Sequence, residues 1–138
     1  MFNIFAYGTL MISAVMYAVT SRHFPLQKAI LKGYDRFTVK GESFPGIIPV
    51  TDKSTEGILY FNVDEPSLER LDIFEGDLYQ RTPILVATEG EEILNAETYE
   101  INPEYRGYLS SKGWDVNKFT KTYLKTFLES YQGFPKNS

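Results

Sequence analysis

The sequence contains no cysteine. That excludes a disulfide framework, a thiolate metal site and a cysteine nucleophile together. It contains a single histidine, His23. A metal would have to be held by carboxylates, and a serine triad would have only that one base. Cationic residues are also few: Lys plus Arg is 14 against 18 Asp plus Glu, a net charge of −4. A mildly acidic chain with no basic cluster is a poor match to a phosphate backbone, so nucleic acid is not an expected partner. Long apolar runs are missing as well. Leu10 to Val19 is interrupted by Ser13 and falls short of the roughly 20 residues a membrane span needs. No basic segment precedes it, since the first cation is Arg22, so no signal peptide is read there. The expectation is a cytoplasmic protein without membrane contact.

What remains is a chain of 138 residues, 43% apolar, with ten Tyr and ten Phe. The length suits one domain, 1–138, and the apolar share suits a packed core. The aromatic excess suggests that some rings line a pocket. Any chemistry must run on carboxylates, tyrosines, arginines and backbone amides.

Residues 2–7 alternate and predict a strand, broken by Gly8-Thr9. Ser13 to Ser21 predicts a short helix. Strands are expected at Gln27 to Leu31, Tyr34 to Lys40, Ile47 to Val50 and Glu56 to Val63. Phe44-Pro45-Gly46 reads as a turn, and Pro49 implies an edge position. Residues 64–75 predict a helix with Asp64 as N-cap, Pro66 in the first turn and Gly76 as its stop. Tyr79 to Thr88 and Ile93 to Ile101 read as strands around the turn Glu89-Gly90-Glu91. Residues 102–113 read as loop. Asp115 then caps one amphipathic helix whose apolar face runs from Val116 to Tyr131, ended by Gly133 and Pro135. Strands outnumber helices and do not alternate with them, which predicts an α+β fold around a curled sheet.

Glu75 is the most informative residue. Leu68, Leu71 and Glu75 lie three and four apart on the 64–75 helix and share a face. A face that buries two leucines carries a carboxylate inward at its last turn. Burial and the helix C-terminal carbonyls both disfavour the anion, which suits a general acid or base near neutral pH. The alternative is a helix-end glutamate turned to water or paired with Arg81. Tyr7-Gly8-Thr9-Leu10 ends the first strand. With Gly8 at positive φ it would turn consecutive amides to one side as an anion cradle; the alternative is a plain turn. Tyr79 and Arg81 alternate on one strand and share a face. Arg81 either grips a ligand carboxylate or neutralises Glu75 or Asp72. Phe44-Pro45-Gly46 either rims a pocket or simply turns the chain. His23 reads as a surface residue and Trp114 as a packing anchor.

Phe5-Ala6-Tyr7-Gly8-Thr9-Leu10, Phe44-Pro45-Gly46, Glu56-Gly57-Ile58-Leu59-Tyr60, Leu71-Asp72-Ile73-Phe74-Glu75-Gly76 and Tyr79-Gln80-Arg81, in that order, resemble the gamma-glutamylcyclotransferase-like family. The resemblance covers about the first 100 residues. It implies a small mixed β-barrel with flanking helices and a cavity holding Glu75 near the 7–10 loop. It implies cyclisation of a γ-glutamyl amine or peptide to 5-oxoproline. Glu75 would be the acid/base, Tyr7, Gly8, Thr9, Leu10, Tyr79 and Arg81 would bind substrate, and no metal or organic cofactor is required. Met11 to Met16 is more apolar than the matching stretch of members acting on γ-glutamylamines, and the loop lacks the serine-asparagine form of members acting on γ-glutamyl dipeptides, so the leaving group stays open. The competing expectation is a non-catalytic module that binds a small carboxylate or amide metabolite in the same pocket.

Overall fold

The structure, a computed structural model, describes residues 1–130. Five strands close into a barrel in the order β1-β3-β2-β4-β5. They are β1 (Phe2–Ala6), β2 (Leu26–Thr38), β3 (Pro45–Val63), β4 (Tyr79–Thr88) and β5 (Ile93–Ile101). The neighbours run antiparallel except β1 and β5, whose parallel contact pairs Ile4 with Glu97 and closes the sheet. The barrel is therefore mixed, as the resemblance implied.

Among the described residues four α-helices flank it: α1 (Ser13–Thr20), α2 (Glu65–Glu75), α3 (Val116–Thr122) and α4 (Leu124–Ser130). None of the described helices is long and apolar enough to cross a membrane. Strand alternation sorts the core into two layers. Phe5 and Tyr7 point into the barrel with Leu31, Ile47, Leu59 and Val86. Ile4 and Ala6 point outward, under a second layer formed with Val15, Val19, Leu68 and Leu71 of α1 and α2.

Several elements differ from the expectation. The two strands expected over 27–40 are one, because Gly33 at φ 86° absorbs a register shift between Lys32 and Tyr34 without ending the ladder. The two expected over 47–63 are likewise one, and Pro45, expected in a turn, already pairs with Thr38. Pro49 is tolerated because that half of β3 pairs only with β2, leaving its other side open. Residues Pro103–Tyr108, expected as loop, form 3-10 turns capped by Asn102. The single C-terminal helix is two. The Thr120 hydroxyl bonds back to the Val116 carbonyl, and Tyr123 at φ −120° interrupts the helix. Tyr131, Gly133 and Pro135 lie outside the described residues.

Candidate active site

The site begins where β1 ends. The chain leaves the barrel through Tyr7-Gly8 into a 3-10 turn, Thr9–Met11. The carbonyls of residues 7–10 are all occupied. Arg36 Nη1 donates to the Tyr7 oxygen at 2.7 Å, and the Tyr60 hydroxyl donates to that of Leu10 at 2.6 Å. The Met11 and Ile12 amides donate to the oxygens of Gly8 and Thr9. The acceptors are thus tied back into the protein. The leading amides, at Gly8, Thr9 and Leu10, have no acceptor within the turn itself. These three residues line a cavity of about 380 Å³, a volume suited to a small molecule.

Gly8 does not have the positive φ expected from sequence; its φ is −121°. Glycine serves a different purpose here. A Cβ at this position would sit 3.0 Å from two ring carbons of Pro45, on the facing cavity wall. The close approach of Pro45, rather than a left-handed turn, leaves little room for a side chain.

The helix α2 brings the acid. Asp64 caps its start by accepting from the Ser67 amide, and Gly76 at φ 69° ends it. Leu68 and Leu71 bury the inner face as their spacing requires. Glu75, one turn beyond Leu71, comes out beside the cavity and lines it. It is neither turned away to solvent nor paired with Arg81. Burial pushes its carboxyl from 4.5 to about 8, with no cation or hydrogen-bond donor offsetting the cost. The residue as a whole stays half-buried because it borders an open cavity, while protein packs round the carboxyl on its other sides.

Three tyrosines share the cavity wall with Glu75. Tyr7 donates to the Tyr99 carbonyl at 2.5 Å, Tyr79 to the Pro45 carbonyl at 2.6 Å, and Tyr99 to Asp72 Oδ1 at 2.6 Å. Burial raises all three phenols above their usual range, and the Glu75 charge adds to each. None is poised to lose a proton near neutral pH. The rest of the wall is largely apolar, with Phe44 and Pro45 at the start of β3, Phe74 of α2 and Phe127 of α4. Asp77, exposed, adds a second carboxyl side chain.

Of the residues singled out in sequence, the structure brings Tyr7, Gly8, Thr9, Leu10, Glu75 and Tyr79 to one cavity. Phe44 and Pro45 contribute to its wall. Arg81 is not placed there. It shares a face with Tyr79, as alternation requires, but its Nε and Nη2 bond Asp72 and its Nη1 bonds Glu97. It neutralises Asp72, one of the alternatives its position left open. His23 is exposed and stacks on Tyr17 at 4.7 Å. Trp114 anchors packing, donating to the Ser43 carbonyl beneath the Arg36 guanidinium. Among the described residues no group of three His, Cys, Asp or Glu could hold a metal ion.

Sequence reasoning missed Arg36, Phe127 and Asp77. Nothing local marks Arg36, whose role depends on β2 passing behind the 7–10 loop. Phe127 reads as an ordinary core position of an amphipathic helix. Tyr99 carries the alternation signal of β5, but its reach to Asp72 depends on how α2 lies against the barrel.

Comparison with known proteins agrees with this geometry. A family model described as gamma-glutamyl cyclotransferase, AIG2-like, matches residues 4–116. AIG2-like protein C of Arabidopsis thaliana is 30% identical over 137 residues, spanning 94% of this chain and 79% of the relative. AIG2-like protein B of the same plant is 28% identical over 134 residues, spanning 94% and 75%. Among solved structures, an Arabidopsis thaliana protein studied in solution superposes with a TM-score of 0.69 at 27% identity, over 94% of this chain and 87% of that one. A gamma-glutamyl cyclotransferase superposes with a TM-score of 0.64 over 99% and 91%; at 16% identity it shares the fold.

Proposed function

Because the chain belongs to the gamma-glutamyl cyclotransferase, AIG2-like family, we propose that it converts a small γ-glutamyl amine or peptide to 5-oxoproline and a free amine. The family supports a cyclotransferase role at that general level; the residue roles are our reading of the cavity. The carrying observation is a carboxyl pushed up to about 8, in one cavity with the leading amides of a loop whose carbonyls at residues 7–10 are all engaged.

The chemistry needs no protein nucleophile. The substrate's α-amine attacks its own γ-carbonyl, and the amide bond to the leaving amine breaks. Glu75 takes a proton from the α-ammonium and gives it to the leaving nitrogen as the amide bond breaks. It then passes on the second proton the ring nitrogen sheds on closure, so the amine departs as its ammonium. A carboxyl held near 8 both takes and gives protons. The Gly8, Thr9 and Leu10 amides hold the substrate carboxylate or the developing oxyanion. Because the reaction is intramolecular, holding the γ-glutamyl chain folded supplies much of the rate, and the closely packed loop 7–10 and Pro45 serve that purpose. Tyr7 and Tyr79 bound the pocket from the strand ends. Arg81 acts from outside it.

The test is 5-oxoproline release from a panel of γ-glutamyl amines and peptides by the full chain. Turnover that disappears in Glu75→Gln supports the proposal. Turnover that survives that substitution removes Glu75 from the acid/base role, and no turnover with ligand binding intact favours the binding module instead.

A further inference from the structure

The tyrosines of this cavity have a property in common. A phenol carries one proton. In Tyr7 it goes to the Tyr99 carbonyl, in Tyr79 to the Pro45 carbonyl, and in Tyr99 to the Asp72 carboxylate. Anything these three oxygens offer to a ligand is therefore a lone pair. Glu75 adds a carboxyl within electrostatic reach of all three. The cavity wall is thus rich in acceptors, and no lysine, arginine or histidine of the described residues lines it.

Two of those acceptors, the Tyr99 and Pro45 carbonyls, are backbone and cannot change. The third is Asp72, and it is built in place. Arg81 bonds both its oxygens, at 3.0 and 3.3 Å, and is itself steadied by Glu97 at 2.9 Å. Arg81 and Tyr99 are direct cross-strand partners on β4 and β5, and Asp72 reaches both from α2. We infer that Asp72, anchored by Arg81, is a positioning residue: by accepting the Tyr99 proton it leaves Tyr99 only a lone pair for the cavity, which selects a ligand bearing a protonated primary amine. This rests on the cyclotransferase reading only in identifying that amine as the α-ammonium. Tyr99 would then hold one N–H while Glu75 removes another, turning the nitrogen lone pair toward the γ-carbonyl.

Tyr99 Oη and Arg81 Nε share Asp72 Oδ1, at 2.6 and 3.0 Å, so asparagine with its oxygen in that place would still accept from both. Alanine at 72 removes the acceptor altogether. The Tyr99 proton is then released to turn to the cavity, where it repels an ammonium. Tyr99→Phe removes the lone pair outright. Both substitutions should act on one ligand group only.

The experiment measures binding by calorimetry in a Glu75→Gln background, so that ligand is not consumed. One ligand is the γ-ethylamide of glutamate; the other is the same molecule without its α-amine. Asp72→Ala and Tyr99→Phe should each weaken the amine-bearing ligand about tenfold or more, the scale of a hydrogen bond to a charged group. The des-amino ligand should change less than about twofold, and the double variant should add nothing further. Equal weakening of both ligands, independent effects that multiply, an amine preference that survives Tyr99→Phe, or failure of the parent to bind either ligand overturns the inference. Release of 5-oxoproline is followed separately with Glu75 intact. Its absence alongside intact amine selectivity refutes the cyclotransferase reading and leaves this one standing.

Discussion

A carboxyl held at about 8 in the folded protein must cost stability, and the cost has a defined pH window. In the unfolded chain Glu75 ionises near its ordinary value of 4.5. Below that pH both states are protonated and the residue is neutral in every sense. As pH rises from there, the unfolded chain releases the proton and the folded protein retains it, so the unfolded state gains and stability falls. Above about 8 both states are ionised and the penalty is complete. The gap corresponds to at most ~5 kcal/mol, and water admitted through the open side of the cavity reduces the expected value to ~2–3 kcal/mol. Glu75→Gln keeps the shape and removes the charge. It should match the wild type at pH 4 and exceed it by ~2–3 kcal/mol at pH 9, or ~6–10 °C in Tm for a domain of this size. Urea unfolding of both proteins across this range is the assay, and the difference between them cancels the titration of every other group. An advantage for the variant that does not change with pH, or none at pH 9, refutes the claim that the carboxyl is desolvated in the folded state.

The same carboxyl sets the expected rate profile: kcat/KM for 5-oxoproline release should rise with pH toward about 8, and Glu75→Gln should lower it by ~10²–10⁴-fold. Gly8→Ala drives a methyl against Pro45 at 3.0 Å, so activity should fall by ~10-fold or more while Tm falls only a few degrees, read by assay and melting in parallel. Tyr60→Phe leaves the Leu10 carbonyl without its buried donor and should cost ~1–2 kcal/mol in urea unfolding, with KM raised more than kcat is lowered. Leu71→Ala empties a fully buried position beneath α2 and should cost ~2–5 kcal/mol.

The inward turn of Glu75 was legible because helix geometry is local: residues three and four apart share a face whatever surrounds them, and Leu68 and Leu71 marked that face as buried. The start and stop of α2 were legible for the same reason, since Asp64 and Gly76 act on the backbone groups nearest them. Strands β4 and β5 followed from alternation, and their boundaries agree with the sequence reading. The joined strands β2 and β3 did not, because a glycine bulge and a proline that would end an isolated strand are accommodated when neighbouring strands supply the hydrogen bonds.

Sequence alone therefore determined the elements whose cause lies within about four residues, the absence of thiol chemistry, and the inward carboxyl at the end of α2. Only the tertiary structure decided what meets that acid. Arg81 could grip a ligand or a neighbour, and it was the lie of α2 on the barrel that gave it Asp72. Gly8 is glycine because Pro45, 37 positions further along, closes on it. Arg36 and Tyr60 pull the loop carbonyls away from the cavity from strands that the chain has not yet made when the loop is read. Such partnerships depend on distance in space, and barrel closure, which brings β1 against β5, sets those distances.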